Sequence, residues 1–404
     1  MPAVSLCCRI CATEHPLDAT GTCSRCFGPL DPTYDWDALR ARVSRASIEA
    51  GPQSIWRYAD LLPVAAPEVA RLAPGMTPLV PAPRLAEELG IGELWLKLDT
   101  ANPTHSFKDR VVAVAARKAQ ELGLDTLSCS STGNLAGAVA ARAAAEGMEA
   151  AVFVPSDLEP EKLAAAAVYG PRIYAVAGTY DHCSRLSVEL SFELPWGFVN
   201  VNLRSYYAEG SKTLAYEIAE QLGWETPDAV AIPIASGALF HKVGQGFAEL
   251  SALGLVDGTP ALFGGQAAGC EPVATAFREN ARVVPVRPSS IARSLAIGNP
   301  ADGDFAVTTA RATGGAIHTV AEDEIGSNMA HLAATTGVFG ETATGVTLGA
   351  LKAAVAAGQI GPRARVVLLV TGDGLKTPGP VSDTYDPIMI EADADAFLDE
   401  VLIA

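Results

Sequence analysis

The sequence predicts an α/β protein with two parallel-sheet domains and a small cysteine-knuckle segment in front of them. Three observations predict it. Short apolar runs alternate with alanine-rich stretches from about residue 94 to 370, the pattern of sequential β-α-β units whose strands align in parallel beneath covering helices. The chain has 404 residues, 49% of them hydrophobic, and 37 glycines that fall mostly at turns, enough to bury the cores of two or three domains. Four of the eight cysteines form two close pairs near the amino terminus and the others are scattered, which favours metal over disulfides.

Those pairs are Cys8-x2-Cys11 and Cys23-x2-Cys26, with eleven residues between them and Gly21 and Gly28 beside the second. Two such knuckles can set four thiolates tetrahedrally around Zn²⁺ and so stabilise residues 1–35, a segment too small to hold a core alone. A four-cysteine site has no open coordination position, so its role would be structural. Cys7 can shift the ligand register, and a degenerate ribbon with unpaired thiols is the alternative. From residue 36 to about 90 the chain is mixed, with a helix expected at Trp36–Ile48 and an aromatic segment at Ser54–Leu62. Gly51-Pro52 and Pro74-Gly75 punctuate it.

The first clear strand, Leu94–Leu98, leads into the polar loop Asn102-Pro103-Thr104-His105-Ser106-Phe107-Lys108-Asp109-Arg110 and a helix to about Leu122. Taken alone, Lys108 at such a junction reads as a solvated lysine. Thr126–Ser130 reads as a buried strand ending in Ser131-Thr132-Gly133-Asn134, before a helix of small residues. A strand, a small polar turn and a helix start form an anion site, because the free N–H groups of the first turn point at the ligand; an ordinary cap is the competing reading. Strands follow at Ala150–Pro155, Arg172–Val176 and Gly197–Asn202, with helices at Glu159–Tyr169 and Thr179–Glu193. The helix Glu209–Leu222 and the strand Ala229–Ile234 begin a second run. Its turn, Ala235-Ser236-Gly237-Ala238-Leu239, can close N–H groups around a phosphate. The last strand, Arg365–Val370, places Thr371 at its carboxyl end, where open α/β sheets bind ligands; Gly372-Asp373-Gly374 is also an ordinary tight turn. The expected division is a ribbon at 1–35, a large domain from 36–104 and 206–380, a small α/β domain at 105–205, and an acidic tail at 381–404.

The formal charge of -17 argues against nucleic-acid and anionic-membrane surfaces, which would repel the chain at long range. No apolar run approaches bilayer-spanning length, and the amino terminus lacks signal-peptide features. A cytoplasmic location is expected.

Asn102 to Arg110, with Lys108 at its centre, resembles the lysine motif of the fold-type-II pyridoxal-phosphate (PLP) enzymes, and most of all that of the threonine synthase family. In this class the lysine forms a Schiff base with the cofactor. Further segments resemble the family in order. Ser131-Thr132-Gly133-Asn134 is similar to the loop holding the substrate carboxylate, with Asn134 matching the asparagine beside the cofactor's phenolic oxygen. Ala235 to Leu239 stand where the cofactor phosphate binds, without the usual glycine-rich run. Thr371-Gly372-Asp373-Gly374-Leu375-Lys376 is similar to the segment whose threonine lies at the pyridine nitrogen, and Phe339–Ala343 to one near the ring. The resemblance spans about residues 5 to 377. It implies conversion of O-phospho-L-homoserine and water to L-threonine and phosphate, by γ-elimination and β-addition, in a homodimer. Asn202, Arg204 and Ser131 are then the expected contacts to the substrate phosphate, while Tyr207 stands at the spacing of a family arginine. His105 and Thr342 stand where many members have glycine and proline. A β-replacement or β-elimination enzyme acting on phosphoserine, serine or threonine would share Lys108, Asn134 and Thr371. A zinc-ribbon interaction protein with an inactive body is the non-enzymatic alternative.

Overall fold

The computed structural model describes residues 3–131, 133–156, 160–178, 180–382, 387–390, 392–395 and 397–398. At the amino terminus β1 (Ala3–Cys8), β2 (Glu14–His15) and β3 (Leu30–Tyr34) form a small antiparallel sheet in the order β2-β1-β3. β4 (Leu79–Pro81) and β5 (Glu93–Leu98) come next. They precede a four-stranded parallel sheet of β6 (Thr126–Ser130), β7 (Glu149–Pro155), β8 (Arg172–Val176) and β9 (Gly197–Phe198), in the order β8-β7-β6-β9. The chain then returns through β10 (Ala229–Pro233), β11 (Ala261–Ala267), β12 (Ala316–Val320) and β13 (Arg365–Val370). With β4 and β5 these complete a six-stranded sheet, β12-β11-β10-β13-β5-β4. All its pairings are parallel except that of β4, an edge strand that tolerates Pro81 because no further strand needs its N–H.

Every residue of β6 and β10 is buried, as expected for strands covered by helices on both faces. The two-residue period of a strand divides β10 and β13 between two cores. Val230, Ile232, Val367 and Leu369 enter a cluster with Phe240, Val243 and Phe247, while Ala229, Ala231, Val366 and Leu368 enter another with Leu348 and Leu351. Fully burying each such valine, leucine or phenylalanine contributes about 1.5–3 kcal/mol.

A buried ion cluster borders the first of these cores, on the face of β5 opposite Leu94 and Leu96. Arg110, 0% exposed, donates to both oxygens of Asp99 at 2.8 Å and to Glu217 at 2.5 and 2.7 Å, and Lys97 of β5 donates to Glu217 at 2.7 Å. Burial alone would raise the Glu217 carboxyl, but Arg110 and Lys97 outweigh it and hold it at about 2. Two cations and two carboxylates thereby clamp the first turn of the Lys108–Glu121 helix against β5 and the Lys212–Gln221 helix.

Several elements differ from the sequence expectation. Trp36–Ile48 is two helices, Trp36–Arg42 and Arg45–Glu49, because Ser44 is extended and caps the second through Ser47. The strand expected at Gly197–Asn202 ends at Phe198, where the chain turns and the Val201 and Leu203 N–H groups both donate to Phe198 O. The Glu209–Leu222 helix opens as a 3₁₀ turn, Ala208–Ser211, before Lys212–Gln221. The helices expected at Glu159–Tyr169 and Thr179–Glu193 run Pro160–Ala167 and Tyr180–Glu193, with Glu159 and Thr179 outside the described residues.

Candidate active site

Because β10, β13 and β5 are adjacent and parallel, the turns that follow them emerge at one edge of the sheet. They are Ala235–Leu239, Thr371–Lys376 and Asp99–Lys108, and two strand spacings, roughly 10 Å, separate the outer pair. Two cross-bonds lock the lysine loop to the Thr371 turn: Phe107 N–H donates to Thr371 O (2.9 Å), and Asp373 N–H to His105 O (3.2 Å). Within the loop, Asp109 accepts from Thr104 N–H and Thr104 Oγ1 at 2.8 and 2.9 Å. His105 has φ 59°, a left-handed conformation in which glycine is least strained. Its ring is exposed and lies 3.2 Å from Thr100 O.

Lys108 opens the Lys108–Glu121 helix. Its Nζ donates to Tyr207 Oη at 3.2 Å and lies 4.4 Å from the centre of the Phe107 ring. Some of the side chain reaches solvent, but protein surrounds the amine closely enough that burial lowers its pKa to about 8, with Glu341 pulling the other way. Glu341, 4% exposed, precedes the Thr342–Ala356 helix and accepts from Asn134 Nδ2 at 3.0 and 3.3 Å. Burial raises its carboxyl, against Asn134, Lys376 and Lys108. Lys376 Nζ completes the lattice by donating to Asn134 Oδ1 (2.8 Å) and Thr104 O (2.5 Å). This brings the end of the four-stranded sheet, through Asn134, against the end of the six-stranded one. Gly372 permits the contact, since a Cβ there would sit 2.4 Å from the Glu341 carboxylate. Thr342 is the first residue of its helix, the one helical position where proline is also at ease.

At the third turn Gly237 has φ +90°, and a Cβ on it would meet Asp302 O at 2.5 Å. Asp302 N–H in turn donates to Ser236 O (2.8 Å). The Ala238–Ala252 helix starts here, so first-turn N–H groups and the helix dipole face outward from a cradle walled by backbone. Lys242 is turned away, to Glu209 at 2.6 Å and Asp31 at 3.0 Å. A half-shielded, partly neutral amine, a Gly237 cradle that no side chain can fill and a hydroxyl residue at a strand end suit a phosphorylated pyridine aldehyde.

The expected substrate contacts are dispersed. Ser131 Oγ accepts from Gly133 N–H (3.3 Å), Asn202 Nδ2 donates to Trp196 O (2.9 Å), and Arg204 pairs with Asp302. Thr132 lies outside the described residues. Sequence reasoning did not single out Glu341, Lys376 or Tyr207 as site residues. The first two belong to segments already marked by their motifs, and Tyr207 was visible only as a departure in spacing.

Beside the amino-terminal sheet the sulfurs of Cys8, Cys11, Cys23 and Cys26 all lie within 4.8 Å of one another, a set that could hold a metal ion. The Ile10 and Arg25 N–H groups each donate to the sulfur two residues back, both at 3.4 Å. Cys7 Sγ is turned to Cys8 O (3.8 Å) and stands outside the set. Arg9, between the first two cysteines, pairs with Asp31 at 3.2 Å and with Asp302 at 2.9 Å. The knuckle therefore holds the same aspartate that backs Gly237.

Residues 70–372 match the family model described as pyridoxal-phosphate dependent enzyme. The chain belongs to that class. A solved threonine deaminase isoform 2 from Solanum lycopersicum shares the fold, with a TM-score of 0.63 at 21% identity over 84% of this chain and 85% of that one. Threonine synthase of Methanocaldococcus jannaschii is 34% identical over 96% of both chains, and that of Halalkalibacterium halodurans is 36% identical over 86% of this chain and 98% of its own. Within its class, the chain belongs to the threonine synthase family, and its chemistry is PLP-dependent threonine synthesis.

Proposed function

We propose that the chain converts O-phospho-L-homoserine and water to L-threonine and phosphate, with PLP joined to Lys108. The observation that carries this reading is the Lys108 amine, half-shielded and held near pKa 8 at the sheet edge where the turns of three adjacent parallel strands emerge. Bound PLP supplies a sink for the negative charge left when a proton leaves the substrate α-carbon. Lys108, once free of the cofactor, is the base, and a lowered pKa keeps a useful fraction of it neutral near pH 7. Asn134, held by Glu341 and Lys376, would stand beside the cofactor's phenolic oxygen. Ala235, Ser236, Gly237, Ala238 and Leu239 hold the cofactor phosphate with backbone N–H groups. Thr371 offers a neutral hydroxyl to the ring nitrogen, and Ser131 and Thr132 take the substrate carboxylate. Asn202 and Arg204 take the substrate phosphate, for which Arg204 exchanges Asp302 while Asp302 keeps Arg9.

The proposed form is a cytoplasmic homodimer with Zn²⁺ on Cys8, Cys11, Cys23 and Cys26, divided into the ribbon, small and large domains set out from the sequence. No helix among the described residues is long and apolar enough to cross a membrane. One observation favours a second reading, a β-elimination or β-replacement enzyme for phosphoserine, serine or threonine: Arg204 already has an anionic partner in Asp302. Steady-state turnover of O-phosphohomoserine against those amino acids decides between the two. Preference for O-phosphohomoserine supports the first, and turnover of the others without it overturns it. Lys108→Ala is expected to abolish the borohydride-reducible cofactor linkage.

A further inference from the structure

Two adjacent tyrosines end the short Arg204–Tyr207 helix and go opposite ways. Tyr206 Oη donates to Leu17 O and Ala19 O at 2.6 and 2.5 Å, and its ring carries Lys118 at 4.8 Å, which fixes the helix against the amino-terminal segment and the Lys108–Glu121 helix. Tyr207 points the other way, where its Oη accepts from Lys108 Nζ at 3.2 Å. Among the described residues each of these two atoms is the other's only hydrogen-bond partner.

We infer that Tyr207 is a positioning residue for the reaction, its hydroxyl aiming the Lys108 amine and serving it in both protonation states. A phenol can do this because it accepts from an ammonium and donates to a neutral amine. The other groups near the pair cannot take its place. Glu341 acts on Lys108 by charge but has its oxygens on Asn134, Phe107 offers only a ring face, and Lys376 is spent on Asn134 and Thr104. Cys129 of β6 and Arg204 bear on the phenol itself, and burial, the largest influence, keeps it neutral by raising its pKa. Tyr207 thus acts by hydrogen bonding and holds no charge. In its absence the amine would have no hydrogen-bond partner among the described residues to fix its rotamer.

This inference rests on Lys108 being the cofactor lysine, and the test separates the two. The pH dependence of PLP capture by apoprotein reports the Lys108 amine without any turnover. Tyr207→Phe, isosteric and checked for folding by circular dichroism, is expected to lower the capture midpoint by about one pH unit, since the ammonium loses its acceptor. In the loaded enzyme it is expected to lower kcat at least tenfold with little change in KM. Tyr206→Phe, the neighbouring phenol, should leave the capture midpoint in place. An unmoved midpoint in Tyr207→Phe overturns the inference, and so does an equal shift in Tyr206→Phe, which would assign the effect to the helix. A reducible linkage that survives Lys108→Ala removes the cofactor reading beneath it.

Discussion

Replacing Lys108 should make the apoprotein more stable, and the gain should depend on pH. Burial lowers the Lys108 amine from 10.5 to about 8, which corresponds to about 3 kcal/mol of native-state penalty on the charged form at about 1.4 kcal/mol per pH unit. Lys108→Met keeps the length of the side chain and removes the charge. It also gives up the hydrogen bond to Tyr207, about 1 kcal/mol, so the net gain is about 1–2 kcal/mol near neutral pH. The sign follows from proton counting. Between about pH 8 and 10.5 the unfolded chain binds more protons at this lysine than the native chain, so the unmodified protein gains stability as pH rises through that window. The penalty is complete below about 8, and the advantage of the variant shrinks toward pH 10. Denaturant midpoints of both apoproteins near pH 7 and near pH 10 measure this. A variant no more stable near pH 7, or one whose advantage is the same at both values, would refute the reasoning.

Glu217→Ala leaves Arg110 and Lys97 buried around one missing carboxylate, and an expected loss of about 3–5 kcal/mol should appear as a lower denaturation midpoint. Gly237→Ala forces a Cβ toward Asp302 O at a φ of +90°; the chain should still fold, and titration with PLP should show at least tenfold weaker binding. Cys23→Ser should abolish binding of the one zinc expected per chain, read by metal analysis of protein prepared without chelator. Because Arg9 carries the knuckle to Asp302, the same variant should also weaken PLP binding; unchanged affinity would show that the two sites are independent.

Much of the sheet architecture was legible because short strand-like segments recur between helices and turn residues, Arg365–Val370 being a nearly unbroken apolar run and Arg172–Val176 a half-exposed edge strand. Thr126–Ser130, Arg172–Val176 and Arg365–Val370 have the same limits in the sequence reading and in the structure. Trp36–Ile48 was not legible, because Ser44 terminates it through a cap that competes with a periodic apolar face. In the candidate site the legible parts were contiguous turns at strand ends: the Lys108 loop, Ser131–Asn134 and Thr371–Lys376. Illegible were the partners that meet only on folding. Tyr207 is 99 residues from Lys108 and Glu341 is 207 from Asn134, and no local pattern encodes either pairing. Arg204 shows the same limit, since its ion pair lies 98 residues away at Asp302.

The strand order also sets a timetable for synthesis. The four-stranded sheet draws on one continuous stretch ending at Phe198, whereas β5 finds its inner neighbour only when β13 appears, Arg365 pairing with Glu93 across 272 residues. Until then a nascent chain holds β4-β5 and β10-β11-β12 as separate pieces, each with a bare edge where β13 will insert, and bare edges invite pairing with other chains. The Thr371 carbonyl that anchors Phe107 emerges directly after that strand. A ribosome-bound chain therefore has Lys108 long before it has the strand that holds the Lys108 loop in place.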